Sequence, residues 1–224
     1  MNRPMVDYRG FRPSRIREPQ YRHLLLIIGW IVYFLFFFLT ENLIPLERCH
    51  LVHCRLDDLI PFREEFVIFY CYWYVLVFGS LLYYLLFDVE RFSRLQVYII
   101  ITQVVAMAAY ILWPSRQDLR PEVFPRENFF TWVLSLIYTF DTPTGVCPSL
   151  HVAYSMGIAS TWLGDRRASP AFKVFVTASA VVISLSTMFV KQHSAVDVIA
   201  AVGLGILTEI AVRYLMPKLP FYSA

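Results

Sequence analysis

The stretch FVIFYCYWYVLVFGSLLYYLLF, Phe66 to Phe87, runs for twenty-two residues without a charge. About 20 such residues cross the hydrocarbon core of a bilayer as a helix. The rest of the chain agrees with that reading. Of its 224 residues, 58% are hydrophobic and 17% aromatic, with a mean hydropathy of +0.53. Soluble domains are about 45–50% apolar, so this is the composition of an integral membrane protein. The length suits one domain. The net charge of +3 is small, and no basic stretch is interleaved with aromatics, so nucleic acid is not an expected partner.

Working outward, four more runs are long enough to cross or nearly so: Leu24–Leu39, Leu95–Trp113, Ala171–Val190 and Val198–Met216. Pro148–Leu163 is shorter at sixteen residues but uncharged, and counts as a sixth span. Phe129–Phe140, FFTWVLSLIYTF, has twelve residues and is too short to cross. It reads as an interfacial or re-entrant helix in the loop before the fourth span. The expected fold is therefore all-α, a six-helix transmembrane bundle. The first span is not a cleavable signal peptide, since no small-residue cleavage site follows it.

Basic residues orient the chain. With the N-terminus in the cytoplasm, thirteen of the twenty Lys and Arg residues lie inside, in short loops and tails. Residues 1–20 then form a basic cytoplasmic tail, disordered or lying on the membrane surface. Residues 21–217 form the membrane domain, and 218–224 a short cytoplasmic tail. The expected setting is the plasma or inner membrane, with the outer loops facing away from the cytoplasm.

Those outer loops hold the unusual residues. Lys191, His193 and Asp197 stand at the edge of the hydrocarbon, where ionisable groups are costly and face a cavity or a partner. His193 and Asp197 are four apart and share a helix face. An aspartate bonded to one imidazole nitrogen fixes the tautomer and leaves the other nitrogen as nucleophile or base. The plainer alternative is a structural pair at a helix end. The stretch CPSLHV, Cys147–Val152, places Ser149 as N-cap of the next apolar run and His151 in its first turn. The amides of Ser149, Leu150 and His151 at such a helix start form a phosphate site. Here the plainer alternative is a cap and a core histidine. Arg116 and Arg120 lie on the same membrane face. Cations, an in-line nucleophile and an acid for the leaving oxygen are the parts that phosphoryl transfer needs.

These residues resemble the type-2 phosphatidic acid phosphatase superfamily, whose motifs are Lys-x6-Arg-Pro, Pro-Ser-Gly-His and Ser-Arg-x5-His-x3-Asp. Arg120-Pro121 matches the end of the first, and Pro148-Ser149-Leu150-His151 the second with Leu for Gly. Ser186, His193 and Asp197 fit the third. The three occur in order over roughly Leu95–Val212. The first motif's Lys falls on Trp113 and the third's Arg on Thr187, with Arg116 and Lys191 as the nearest substitutes. Leu150 and the Lys191-Gln192-His193 run look like the inositol phosphorylceramide synthase branch.

The resemblance implies a lipid phosphatase acting on phosphate monoesters or diphosphates at the outer face. The alternative is a phosphotransferase that moves a phospho-headgroup, such as inositol phosphate, to an alcohol. In this scheme His193 forms a phosphohistidine, Asp197 orients it, and His151 protonates the leaving oxygen. Ser149, Lys191, Arg120 and Arg116 hold the phosphate. No metal and no cofactor is expected, because fixed cations and amides neutralise the charge. A non-catalytic lipid-binding or transport protein is the reading of another class.

One outer loop carries CHLVHC, Cys49–Cys54. A Cys49–Cys54 disulfide suits an outer location, with a zinc site or free thiols as alternatives. Cys71 and Cys147 read as inert thiols. Gly203 and Gly205 read as points of close helix contact.

Overall fold

The computed structural model describes residues 5–219. Its helices are α1 Ile28–Leu43, α2 Arg55–Leu59, α3 Val67–Phe87, α4 Val89–Leu112, α5 Phe129–Phe140, α6 Leu150–Leu163, α7 Pro170–Phe189 and α8 Ala195–Leu215. Two short strands, β1 His50–Leu51 and β2 Ser115–Arg116, pair in parallel and tie two loops together. Five helical segments are long and apolar enough to cross a membrane: Arg22–Leu43, Glu64–Phe87, Val89–Leu112, Pro170–Phe189 and Ala195–Lys218. The twelve-residue α5 has the bounds read from the sequence.

The helix α6 differs from these five. Its fourteen residues span about 21 Å, less than a bilayer core. It is instead the centre of the bundle, packed against α3, α4, α7 and α8, with its Tyr154 and Ile158 fully enclosed. At its start Tyr110, near the end of α4, donates to Pro148 O at 2.7 Å. Just beyond its far end Asp165 meets Arg167 at 2.9 Å and Arg91, in the first turn of α4, at 3.7 Å. The helix therefore runs antiparallel to α4, from one end of the bundle toward the other.

Close approach along α6 depends on one glycine. A Cβ on Gly157 would lie 2.4 Å from the Tyr98 ring of α4. Tyr98 is itself buried, its hydroxyl donating to Gly205 O of α8 at 3.2 Å. The ring has nowhere to move. Gly157→Ala is expected to cost about 1–3 kcal/mol, read as a lower unfolding temperature in detergent. An unchanged midpoint would mean that the three helices are free to separate. Gly205 makes a similar close contact with Met156, whereas a Cβ on Gly203 would meet nothing within 4 Å, so only the former is the expected contact point.

In the described part of the N-terminal tail, Met5 N donates to Leu86 O at 2.7 Å, and the Tyr8 hydroxyl, 2.8 Å from His23 Nε2, donates to Leu85 O. Aromatic side chains and free carbonyls at the end of α3 hold it, a signal that its basic composition hides. The Cys49–Cys54 disulfide is not formed, and both thiols are free. Cys49 Sγ lies 3.7 Å from Pro45 O, while Cys54 caps the start of α2. The zinc alternative meets the same obstacle. His50 stacks on Trp113 and His53 pairs with Asp58, so the four side chains diverge. Residues 220–224 of the expected C-terminal tail lie outside the described residues.

Candidate active site

The site is at the end of the bundle where α4 and α7 finish and α6 and α8 begin. The chain leaves α7 through a tight turn. The amides of Gln192 and His193 both donate to Thr187 O, and Lys191 adopts a left-handed backbone at φ 52°. Ser194 then caps α8, its hydroxyl accepting from Val196 N at 3.1 Å. Asp197 closes the capping box by accepting the Ser194 amide at 2.9 Å.

The same Asp197 Oδ2 stands 3.3 Å from His193 Nδ1. A carboxylate only accepts, so His193 Nδ1 carries the proton and Nε2 is left with its lone pair. The pair thus forms as the spacing suggests, but by another route. His193 precedes the helix, and the turn around Ser194, not a shared helix face, brings the two together.

His151 approaches from α6. Its ring is held between Tyr70 at 4.4 Å and Trp73 at 4.2 Å, both on α3, and its centroid is 5.9 Å from that of His193. Ser149 sits at the N-cap of α6 but makes no side-chain cap. Its amide donates to Asp197 O at 3.2 Å, so one of the three amides expected to face a phosphate is already taken. Buried polar atoms nearly always find partners. Yet Ser149 Oγ, His151 Nε2, Asp197 Oδ1 and Arg120 Nε are buried with none. Cys147 is also close; burial and the nearby Asp197 push its thiol up to about 12, which keeps it protonated and inert.

Both histidines open on a cavity of about 420 Å³ whose wall is mostly aromatic, including Tyr33, Tyr70, Trp73 and Tyr74. The expected cations are less well placed. Lys191 points the other way, its Nζ donating to Asp57 O at 2.9 Å and Ile60 O at 2.6 Å. The left-handed backbone turns its side chain toward α2, so Lys191 anchors a loop instead of reaching the cavity. Thr187, the other position considered, is fully buried and bonds to Ser184 O. Arg116 lies on β2 beside Cys49, outside the cavity wall. Arg120 comes nearest. Its guanidinium lies 4.5 Å over the Tyr138 ring and donates to Gln192 Oε1 and Thr142 O.

Three further residues take part without having been read as site residues from the sequence. Asp57 of α2 is buried against the start of α8, where it accepts from Ser194 Oγ at 2.6 Å and Ala195 N at 2.7 Å. Burial would raise its carboxyl, but the bonds from Ser194, Ala195 and Cys54 outweigh it and hold it below the usual value. Gln192 lines the cavity and donates to Asp141 Oδ2 at 3.3 Å. Asp141, the residue that ends α5, projects into the cavity.

Comparison of the chain with protein-family models, with curated proteins and with solved structures finds no match.

Proposed function

We propose that this multi-pass membrane protein is a lipid phosphatase or phosphotransferase of the type-2 phosphatidic acid phosphatase kind, working through a phosphohistidine on His193. The observation that carries this reading is the convergence of His193, held by Asp197, and His151 on one cavity, with unpartnered buried polar atoms on Ser149, His151 and Asp197. Buried groups left without partners at one place are the mark of a site awaiting a polar ligand.

In the proposed reaction His193 Nε2 attacks phosphorus and the bond to the lipid oxygen breaks. His151, protonated in the presence of the bound phosphate anion, gives that oxygen its proton and is left neutral. An acceptor hydroxyl then loses its proton to His151 and takes the phosphoryl group from His193. Asp197 accepts a hydrogen bond from Nδ1–H throughout, the proton staying on His193, and stabilises the imidazolium character that develops. The amides of Leu150 and His151 and the unpartnered Ser149 Oγ and Arg120 Nε are the donors offered to phosphate oxygens, Arg120 from behind Gln192 and not from the cavity wall. Rapid acid-free quenching of the purified protein with phosphorus-labelled lipids tests the scheme. Label is expected on the protein, stable to base and labile to acid. Lipid binding with neither label nor turnover would leave a binding protein.

The proposal includes six spans, with α6 as the short fourth and the site at the extracytoplasmic face of the plasma or inner membrane. A cysteine placed at Arg126, in a cysteine-free background, is expected to react with an impermeant reagent from outside. One placed at Ala168 is not. Outside labelling of both would remove the crossing by α6.

A further inference from the structure

Resting on that reading of the cavity, we propose that it receives a phospholipid headgroup bearing a cationic amine, of the phosphocholine or phosphoethanolamine kind, with the ammonium group held by Asp141 and the surrounding tyrosines.

The charge of the cavity points this way. Among the described residues its wall includes no Lys or Arg, and besides the two histidines and the tyrosines its one ionisable side chain is Asp141. Arg120 does not neutralise it directly. Gln192 stands between them, accepting from Arg120 through Oε1 and donating to Asp141 through Nε2. Enclosure pushes the Asp141 carboxyl above the usual carboxylate value, with Arg120, His193 and a bond from Tyr70 drawing it partly back, so a bound cation is what favours its ionised form. A second carboxylate, Glu41 at the end of α1, lies behind Thr142 and Thr144, which both bond to it. A ligand carrying only negative charge would therefore meet an acidic wall. A zwitterion suits both halves, with its phosphate toward His193 and its cation toward Asp141.

The aromatic lining supplies the rest. Tyr33, Tyr70 and Tyr74 all stand within electrostatic range of the Asp141 carboxylate and line the same cavity. Trp73 continues the wall to His151. Ring faces attract ammonium groups, quaternary ones included, and a carboxylate among them adds direct charge complementarity. An inositol or glycerol headgroup would gain from neither feature.

The test is a binding titration of the purified protein in maltoside micelles, read by quenching of the fluorescence of Trp30 and Trp73 in the cavity wall. Phosphocholine is compared with glycerol phosphate and inositol phosphate, and short-chain phosphatidylcholine with short-chain phosphatidylglycerol. Wild type is expected to bind the ammonium member of either set about tenfold more tightly. Either set showing the preference supports the proposal, and the tighter binder of the two identifies a lipid or a soluble headgroup as the source. Asp141→Asn is expected to remove the preference by weakening the ammonium ligands, with glycerol phosphate bound as tightly as in wild type or more so, since a negative charge is lost. Tyr74→Leu, at a position 48% exposed and tolerant of change, is expected to weaken the preference severalfold. Equal affinity for ammonium-bearing and ammonium-free headgroups in wild type, or equal losses for both in Asp141→Asn, would overturn it. His193→Gln is expected to keep the preference. Selective binding without a phosphohistidine would fell the catalytic reading alone, and a phosphohistidine without selectivity would fell this one alone.

Discussion

Replacing His193 with Gln is expected to abolish turnover, by about 10⁴-fold or more, while leaving the protein folded. Loss on that scale, about 5.5 kcal/mol, is what removal of a nucleophile produces, because no other group in the site can take its place. Cys147 is protonated and Ser149 has no base in contact with it. The backbone should not notice. The bond from the amide of residue 193 to Thr187 O does not depend on the side chain. Glutamine approximates the imidazole's reach, and Asp197 keeps the Ser194 amide as a partner. Initial rates and trapped label should fall together. A folded variant that retains turnover within tenfold of wild type ends the covalent mechanism.

The second large effect belongs to Asp57, on stability first and rate second. Three donors end on its carboxylate: Cys54 N at 2.8 Å, Ser194 Oγ at 2.6 Å and Ala195 N at 2.7 Å. Asp57→Ala leaves them buried and unpaired, at a cost of roughly 3 kcal/mol. For a chain of this size that lowers the unfolding midpoint by about 6–12 °C. Asp57→Asn should recover part of it, since one oxygen remains. The sign with pH follows from the lowered carboxyl. The unfolded state takes up a proton first, so this contribution is full at neutral pH. It falls away only as pH drops below the free carboxylate value of 3.8 and through the lower folded one. A midpoint that is unchanged in Asp57→Ala, or a loss that appears near neutrality, would remove Asp57 as the anchor of α8.

The sequence carried the helices better than their roles. Charge-free runs gave α3 and α5 nearly to the residue, because charges and helix breakers bound them. The same test could not say what α6 does. A central helix and a crossing helix are both apolar all round, and only packing shows that α6 is the hub. In the site, the His193–Asp197 contact was legible because its cause is local. The Ser194-x-x-Asp197 capping box was legible too, though it was overshadowed by the histidine. Asp57 was not, since its partner Ser194 lies 137 positions away and no spacing rule connects them. Lys191 was misplaced for a different reason. Its distance from His193 along the chain says nothing of the left-handed turn that sends it to α2. Asp141 sat in plain view before CPSLHV, but its meaning depends on which rings surround it.

The segment that carries α1 is only 6% buried along its apolar window, yet Trp30, Tyr33, Phe34 and Phe37 form one side of the cavity. Trp30 Nε1 donates to Gln96 at 3.0 Å, Glu41 holds Thr144, and Gly29 lies against Ile100. Beyond such points little protein backs the helix. Its position, and with it the width of the chamber in front of the histidines, is therefore expected to respond to whatever surrounds it, so that ligand affinity measured in micelles and in bilayers of different thickness is expected to differ.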